Sequence, residues 1–182
     1  EIESRFGKLG DDVPSKKKYP QPKFKKVLFG RPPHGFLPEP DFNEDASMPS
    51  GFEEGTFRQR VDHFNNQNAN FFQQKFYKNA QWAQPGGPNF LMIGGEGPES
   101  SRWVLNENIT YLTWAKKYGA TVYLLEHRFY GDSLVGDNND LNTLNSLQML
   151  YDLAEFIKSV NLKTGTSNPW ITFGGSYSGA MS

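Results

Sequence analysis

An α/β fold carried by a parallel sheet follows from three features of the chain. Short apolar runs at Asn89–Ile93, Thr121–Glu126 and Trp170–Phe173 alternate with two segments of helical periodicity. Two of those runs end in glycine clusters, Gly94-Gly95-Glu96-Gly97 and Gly174-Gly175. Strand, helix, strand, helix, strand in that order implies right-handed crossovers, and therefore parallel strands flanked by helices.

Taken from the N-terminus, residues 1–55 are rich in Pro, Lys and Gly and show no sustained period. They read as a disordered leader or propeptide, with Lys16, Lys17, Lys18, Lys23, Lys25 and Lys26 forming a basic cluster suited to a solvated linker. Residues 56–182 read as the folded part. Thr56–Asp62 and Phe71–Tyr77 are aromatic and β-branched runs around the polar loop Asn65–Asn70, the pattern of an N-terminal antiparallel hairpin. After the Pro85-Gly86-Gly87-Pro88 break comes the first buried strand, Asn89–Ile93, and its glycine loop. Ile109, Leu112, Ala115 and Tyr118 fit a helix closed by Gly119, which can take the left-handed C-terminal position without a Cβ clash. Leu144, Leu147, Leu150, Ala154, Ile157 and Val160 recur at three- and four-residue intervals and give a long amphipathic helix before the third strand.

Composition bounds the function classes. The 19 Lys and Arg nearly cancel the 20 Asp and Glu, so no whole-chain field recruits nucleic acid or an anionic membrane. Without cysteine the 182 residues hold no disulfide, thiolate metal site or cysteine nucleophile. No run approaches the roughly 20 apolar residues of a membrane span. His34, His63 and His127 lack any local ligand spacing such as H-E-x-x-H, which argues against a metal, and no cofactor motif is present.

The segment that carries chemistry is Phe173-Gly174-Gly175-Ser176-Tyr177-Ser178-Gly179. A nucleophilic serine on a sharp strand-to-helix turn needs small residues two positions to either side, because the backbone folds back on itself there. Gly174 and Ser178 occupy those positions, with Gly175 and Gly179 beside them, and the pattern departs from strict G-x-S-x-G only at Ser178. A tight turn with a bystander serine is the plainer reading of the same residues. With Ser176 as nucleophile, the backbone N–H of Tyr177 is placed to bind a developing oxyanion, and Gly95 in the first glycine loop offers the second donor. That loop also fits a plain left-handed turn.

Glu126-His127-Arg128 follow the second strand and read either as an active-site neighbourhood or, better, as a salt-bridged support for the loop. His127, His63 and His34 all precede Ser176, whereas hydrolases with this elbow place acid and histidine after the serine, so none of the three is expected to be the general base. Asn108-Ile109-Thr110 is a glycosylation acceptor sequence.

Four blocks in register, Thr56-Phe57-Arg58-Gln59-Arg60-Val61-Asp62-His63-Phe64-Asn65, Gly94-Gly95-Glu96-Gly97, Glu126-His127-Arg128-Phe129-Tyr130-Gly131 and Phe173-Gly174-Gly175-Ser176-Tyr177, resemble the prolylcarboxypeptidase and dipeptidyl peptidase II family of serine peptidases. The resemblance implies the N-terminal part of an α/β-hydrolase core in a secreted or lysosomal exopeptidase that cleaves peptides near proline or small residues. It also allows a homodimer for the full-length protein. Ser176 matches the family's nucleophile, while the Asp and His of the triad are expected downstream of Ser182. A fragment truncated after the elbow is accordingly expected to lack turnover and to leave a sheet edge bare. The rival readings are a catalytically inactive binding protein on a hydrolase scaffold and a lipase or esterase, whose HGGG-type loop this chain does not reproduce.

Overall fold

The computed structural model describes residues 6–8, 47–136 and 140–182; most of the segment read as a leader lies outside them. Six strands form one sheet: β1 (Phe6–Lys8), β2 (Phe52–Arg60), β3 (Phe71–Asn79), β4 (Asn89–Ile93), β5 (Thr121–Leu125) and β6 (Trp170–Phe173), in spatial order β1-β2-β3-β5-β4-β6. Two departures from the sequence reading fall at its N-terminal end. The strand β2 begins at Phe52, four residues before Thr56, and β1 lies within the segment read as leader, pairing antiparallel with β2 from Phe6↔Phe57 to Lys8↔Gly55.

The hairpin β2–β3 is antiparallel and alternates as a half-buried pair should, with Phe57 and Gln59 facing inward on one strand and Phe72, Gln74 and Phe76 on the other. The side-chain amide donors on this buried face are bonded, whereas Gln59 Oε1 makes no hydrogen bond among the described residues. Gln59 Nε2 donates to Gln74 Oε1 at 3.1 Å and to the Asp152 carbonyl at 2.8 Å, and Gln74 Nε2 donates to the Glu126 carbonyl at 2.8 Å.

The parallel part is as the element order demands. Strand β4 lies between β5 and β6 and runs parallel to both, while β5 meets β3 antiparallel. The long helix α3 (Ser146–Thr164) covers one face; α1 (Arg102–Leu105), which the periodicity does not reveal, and α2 (Thr110–Tyr118) cover the other. Asn145 caps α3 by accepting from the Gln148 N–H, and Gly119 ends α2 at φ 62° as anticipated. Alternate residues of β4 and β5 feed the two cores, so Leu91 and Tyr123 meet α3 while Phe90 and Val122 meet α2. Phe156 centres the first core, its ring 5.4 Å from Phe57, 5.6 Å from Phe76 and 5.8 Å from Tyr123; burial of such a side chain contributes roughly 1.5–3 kcal/mol.

This sheet is what positions the site. The registers Ile93↔Leu125 and Met92↔Phe173 bring the C-terminal ends of three neighbouring parallel strands level, about 4.8 Å apart from strand to strand. Their loops therefore open at one end of the sheet, where open α/β sheets place their ligands. Strand β6 stands at the edge, with Ile171 exposed beside Trp114 and Tyr118 in an apolar groove of about 620 Å³.

Candidate active site

Ser176 follows β6 by three residues, is exposed, and holds φ 56°, one of two non-glycine residues with positive φ among those described. An L-residue in the left-handed region costs roughly 1–2 kcal/mol, so the surrounding turn must impose it. The turn does so by close approach. A Cβ on Gly174 would run into the Ser178 carbonyl and stand 2.7 Å from the Gly179 nitrogen, so only glycine fits where the chain folds back. Gly179 N–H closes the turn on the Ser176 carbonyl at 3.1 Å, and a 3-10 turn, Ser178–Met181, follows. At Gly175 there is open space, and its N–H and C=O are both bonded by the buried Ser178 hydroxyl, at 3.0 and 2.9 Å.

The glycine loop after β4 starts hard against the end of β5. Gly94 N–H donates to the Leu125 carbonyl at 2.9 Å, and a Cβ there would stand 2.8 Å from that same oxygen. Gly95 N–H, the expected second oxyanion donor, is engaged: it donates to Glu99 Oε1 at 2.8 Å. The loop and the elbow share a cleft of about 360 Å³, lined by Glu96, His127, Tyr130, Ser146 and Tyr177 among others. Tyr177 presents its ring 5.7 Å from that of His127, and its hydroxyl pairs with Ser146 Oγ at 2.7 Å.

Glu126, His127 and Arg128 are all buried. Glu126 Oε1 accepts from the N–H groups of Asp132 and Ser133 and from Ser133 Oγ, while Oε2 accepts from Glu99 N–H at 2.9 Å. One carboxylate thus joins the glycine loop to the loop after β5, and Gly131 (φ 55°) must be glycine because a Cβ would strike that carboxylate. Burial raises the Glu126 pKa, and its four donors pull it back only in part.

Arg128 is the hub of a buried ion cluster. Its Nε and Nη2 grip both oxygens of Asp152 on α3 at 2.7 Å, and its remaining N–H groups donate to the carbonyls of Arg60, Val61 and Thr143. His63 Nε2 lies 2.7 Å from Asp152 Oδ1 on the same carboxylate. The Arg128 contacts thus link the end of β2, the loop after β5 and α3.

Neither described histidine is bonded to Ser176. His63 is committed to Asp152, and His127 Nδ1 donates to the Arg128 carbonyl at 2.8 Å, which fixes the proton on that nitrogen. His127 Nε2 is buried and makes no hydrogen bond among the described residues, and burial lowers the pKa of the ring. Asn108 is exposed in the turn before α2. Among the described residues no group of three or more His, Asp or Glu is arranged to hold a metal ion, and no helix is long and apolar enough to cross a membrane.

Three site residues escape sequence reasoning. Glu99 and Ser133 sit in loops with no periodicity to mark them. Asp152 did leave a signal: it lies three residues after Met149 and four before Phe156, a carboxylate inside the apolar stripe of a helix, which demands a buried partner.

Residues 59–182 match the family model described as serine carboxypeptidase S28. A putative serine protease of Caenorhabditis elegans is 40% identical over 164 residues, covering 86% of this chain and 32% of that protein. The human thymus-specific serine protease is 35% identical, covering 70% and 26%, and the human lysosomal Pro-X carboxypeptidase is 34% identical, covering 69% and 27%. The chain thus spans between about a quarter and a third of the length of the curated relatives it matches.

Proposed function

Because the chain belongs to the serine carboxypeptidase S28 family, we propose that it supplies the nucleophile and the oxyanion loops of a serine exopeptidase, with peptides as substrates. The observation that carries this reading is Ser176 itself: an exposed hydroxyl on a left-handed residue, at a turn where Gly174 leaves no room for a Cβ. In the full-length enzyme Ser176 Oγ attacks the peptide carbonyl carbon and loses its proton to a histidine outside residues 1–182. The Tyr177 N–H and the Gly95 loop stabilise the tetrahedral oxyanion. The amine leaves with the proton, and water then hydrolyses the acyl-enzyme.

A preference for proline or a small residue beside the cleaved bond, and a lysosomal or secreted setting, are the finer parts of the proposal. They are supported by the name of one relative, a lysosomal Pro-X carboxypeptidase. With neither His63 nor His127 bonded to Ser176, residues 1–182 by themselves should give no measurable turnover.

Labelling with a fluorophosphonate tests the core of this reading. The full-length protein should be modified at Ser176, the Ser176→Ala variant should not, and peptides with Xaa-Pro at either terminus should separate carboxypeptidase from dipeptidyl peptidase action. A full-length protein that is not labelled would instead be a binding protein on a hydrolase scaffold.

A further inference from the structure

Three of the contacts of Glu99 bear on the glycine loop and its neighbours. Its N–H donates to Glu126 Oε2 at 2.9 Å, its carbonyl accepts from the Tyr77 hydroxyl at 3.2 Å, and its own carboxylate accepts from Gly95 N–H at 2.8 Å. The first two contacts are made by backbone atoms and do not depend on the side chain. Gly94, bonded to the Leu125 carbonyl, fixes the other end of the loop in the same way. The third contact differs in kind, since it lays an anionic oxygen on the very amide that the serine-peptidase reading assigns to the oxyanion.

We propose that the Glu99 carboxylate is a displaceable occupant of the oxyanion site, capping the Gly95 N–H in the ligand-free protein so that a substrate must expel it before the developing oxyanion can bind there. The inference rests on the function proposed above. One N–H carries one proton, and two negatively charged oxygens competing for it would stand within van der Waals contact of each other in a partly dry cleft, where their repulsion is strong. Both cannot stay. Glu99 is therefore a positioning residue acting through Gly95: it keeps the loop closed and its donor covered until a carbonyl arrives, at the cost of a weaker oxyanion hole.

The test is the rate of Ser176 labelling by a fluorophosphonate in the full-length protein, compared among wild type, Glu99→Gln and Glu99→Ala at matched folded fraction. Uncovering the amide should accelerate labelling about tenfold in Glu99→Ala, within the ~10²-fold that one oxyanion donor is typically worth. Glu99→Gln, which keeps the shape but not the charge, should fall between the two. A clamp cannot give a rise, so unchanged or slower labelling in both variants overturns the proposal while leaving the nucleophile assignment intact. Absence of labelling in the wild type overturns both.

Discussion

The Ser178 hydroxyl stands 3.0 Å from the amide nitrogen of Gly175 and 2.9 Å from its carbonyl oxygen, accepting from the first and donating to the second. A serine where the elbow pattern has glycine thus staples the residue directly before the nucleophile. Ser178→Gly, which restores the strict pattern, should lower stability by about 1 kcal/mol. Two bonds at roughly 0.5–1.5 kcal/mol each are lost, and water partly replaces them because Gly175 is exposed. Urea unfolding of the full-length protein checks this; an unchanged midpoint would make the staple incidental.

Removing Asp152 should be far more costly. Arg128 and Asp152 are both fully buried, and Asp152→Ala leaves the guanidinium without its counter-ion in a dry core, which typically costs about 3–5 kcal/mol. The double variant Arg128→Met with Asp152→Leu should recover only part of that loss, because no unpaired charge remains but the Arg60, Val61 and Thr143 carbonyls and His63 Nε2 lose their partners. Denaturant midpoints of the two single variants and the double variant measure the coupling.

The strands β4 and β6 and the Gly119 end of α2 were legible because each depends on local signals, an apolar run with a hard stop or a glycine after a periodic stretch; the Asn145 cap of α3 was not read. The tight turn at Ser176 was legible for the same reason, since its geometry is enforced within six residues, from Gly174 to Gly179. What stayed hidden depends on distant partners. Phe6–Lys8 carries no strand pattern of its own and takes its shape from the open edge of β2. Glu99 becomes a site residue only because Glu126, twenty-seven positions on, holds its N–H. Support for the Glu-His-Arg segment could be anticipated as a type of interaction, but not that Asp152 provides it.

His127 should make the protein acid-sensitive. Burial depresses its pKa below the ordinary value of 6.5, so the native ring stays neutral while the unfolded ring takes a proton as pH falls. The stability it contributes is present above about pH 6.5 and is lost as pH drops from there towards the native value. Glu126 acts with the opposite sign: its raised pKa gives stability that is complete below about 4.5 and is lost as pH rises through the native value. His127→Gln removes the first effect and leaves the second. The difference in thermal midpoint between variant and wild type should therefore change between pH 7 and pH 5 in the variant's favour, and a pH-independent difference would refute the assignment.

Catalytic geometry and stability should oppose each other at Ser176. Its φ of 56° costs roughly 1–2 kcal/mol for any residue with a Cβ, and glycine escapes that cost while adding about 0.4–1 kcal/mol of unfolded-state entropy to be overcome. Ser176→Gly should therefore be more stable than Ser176→Ala by up to about 1.6 kcal/mol, although both lose the hydroxyl and neither is labelled by a fluorophosphonate. Comparing glycine with alanine removes every effect of the hydroxyl itself, so what remains is the backbone. If alanine proves the more stable of the two in urea, the turn does not force position 176 into the left-handed region in solution, and the elbow on which the nucleophile assignment depends is not formed.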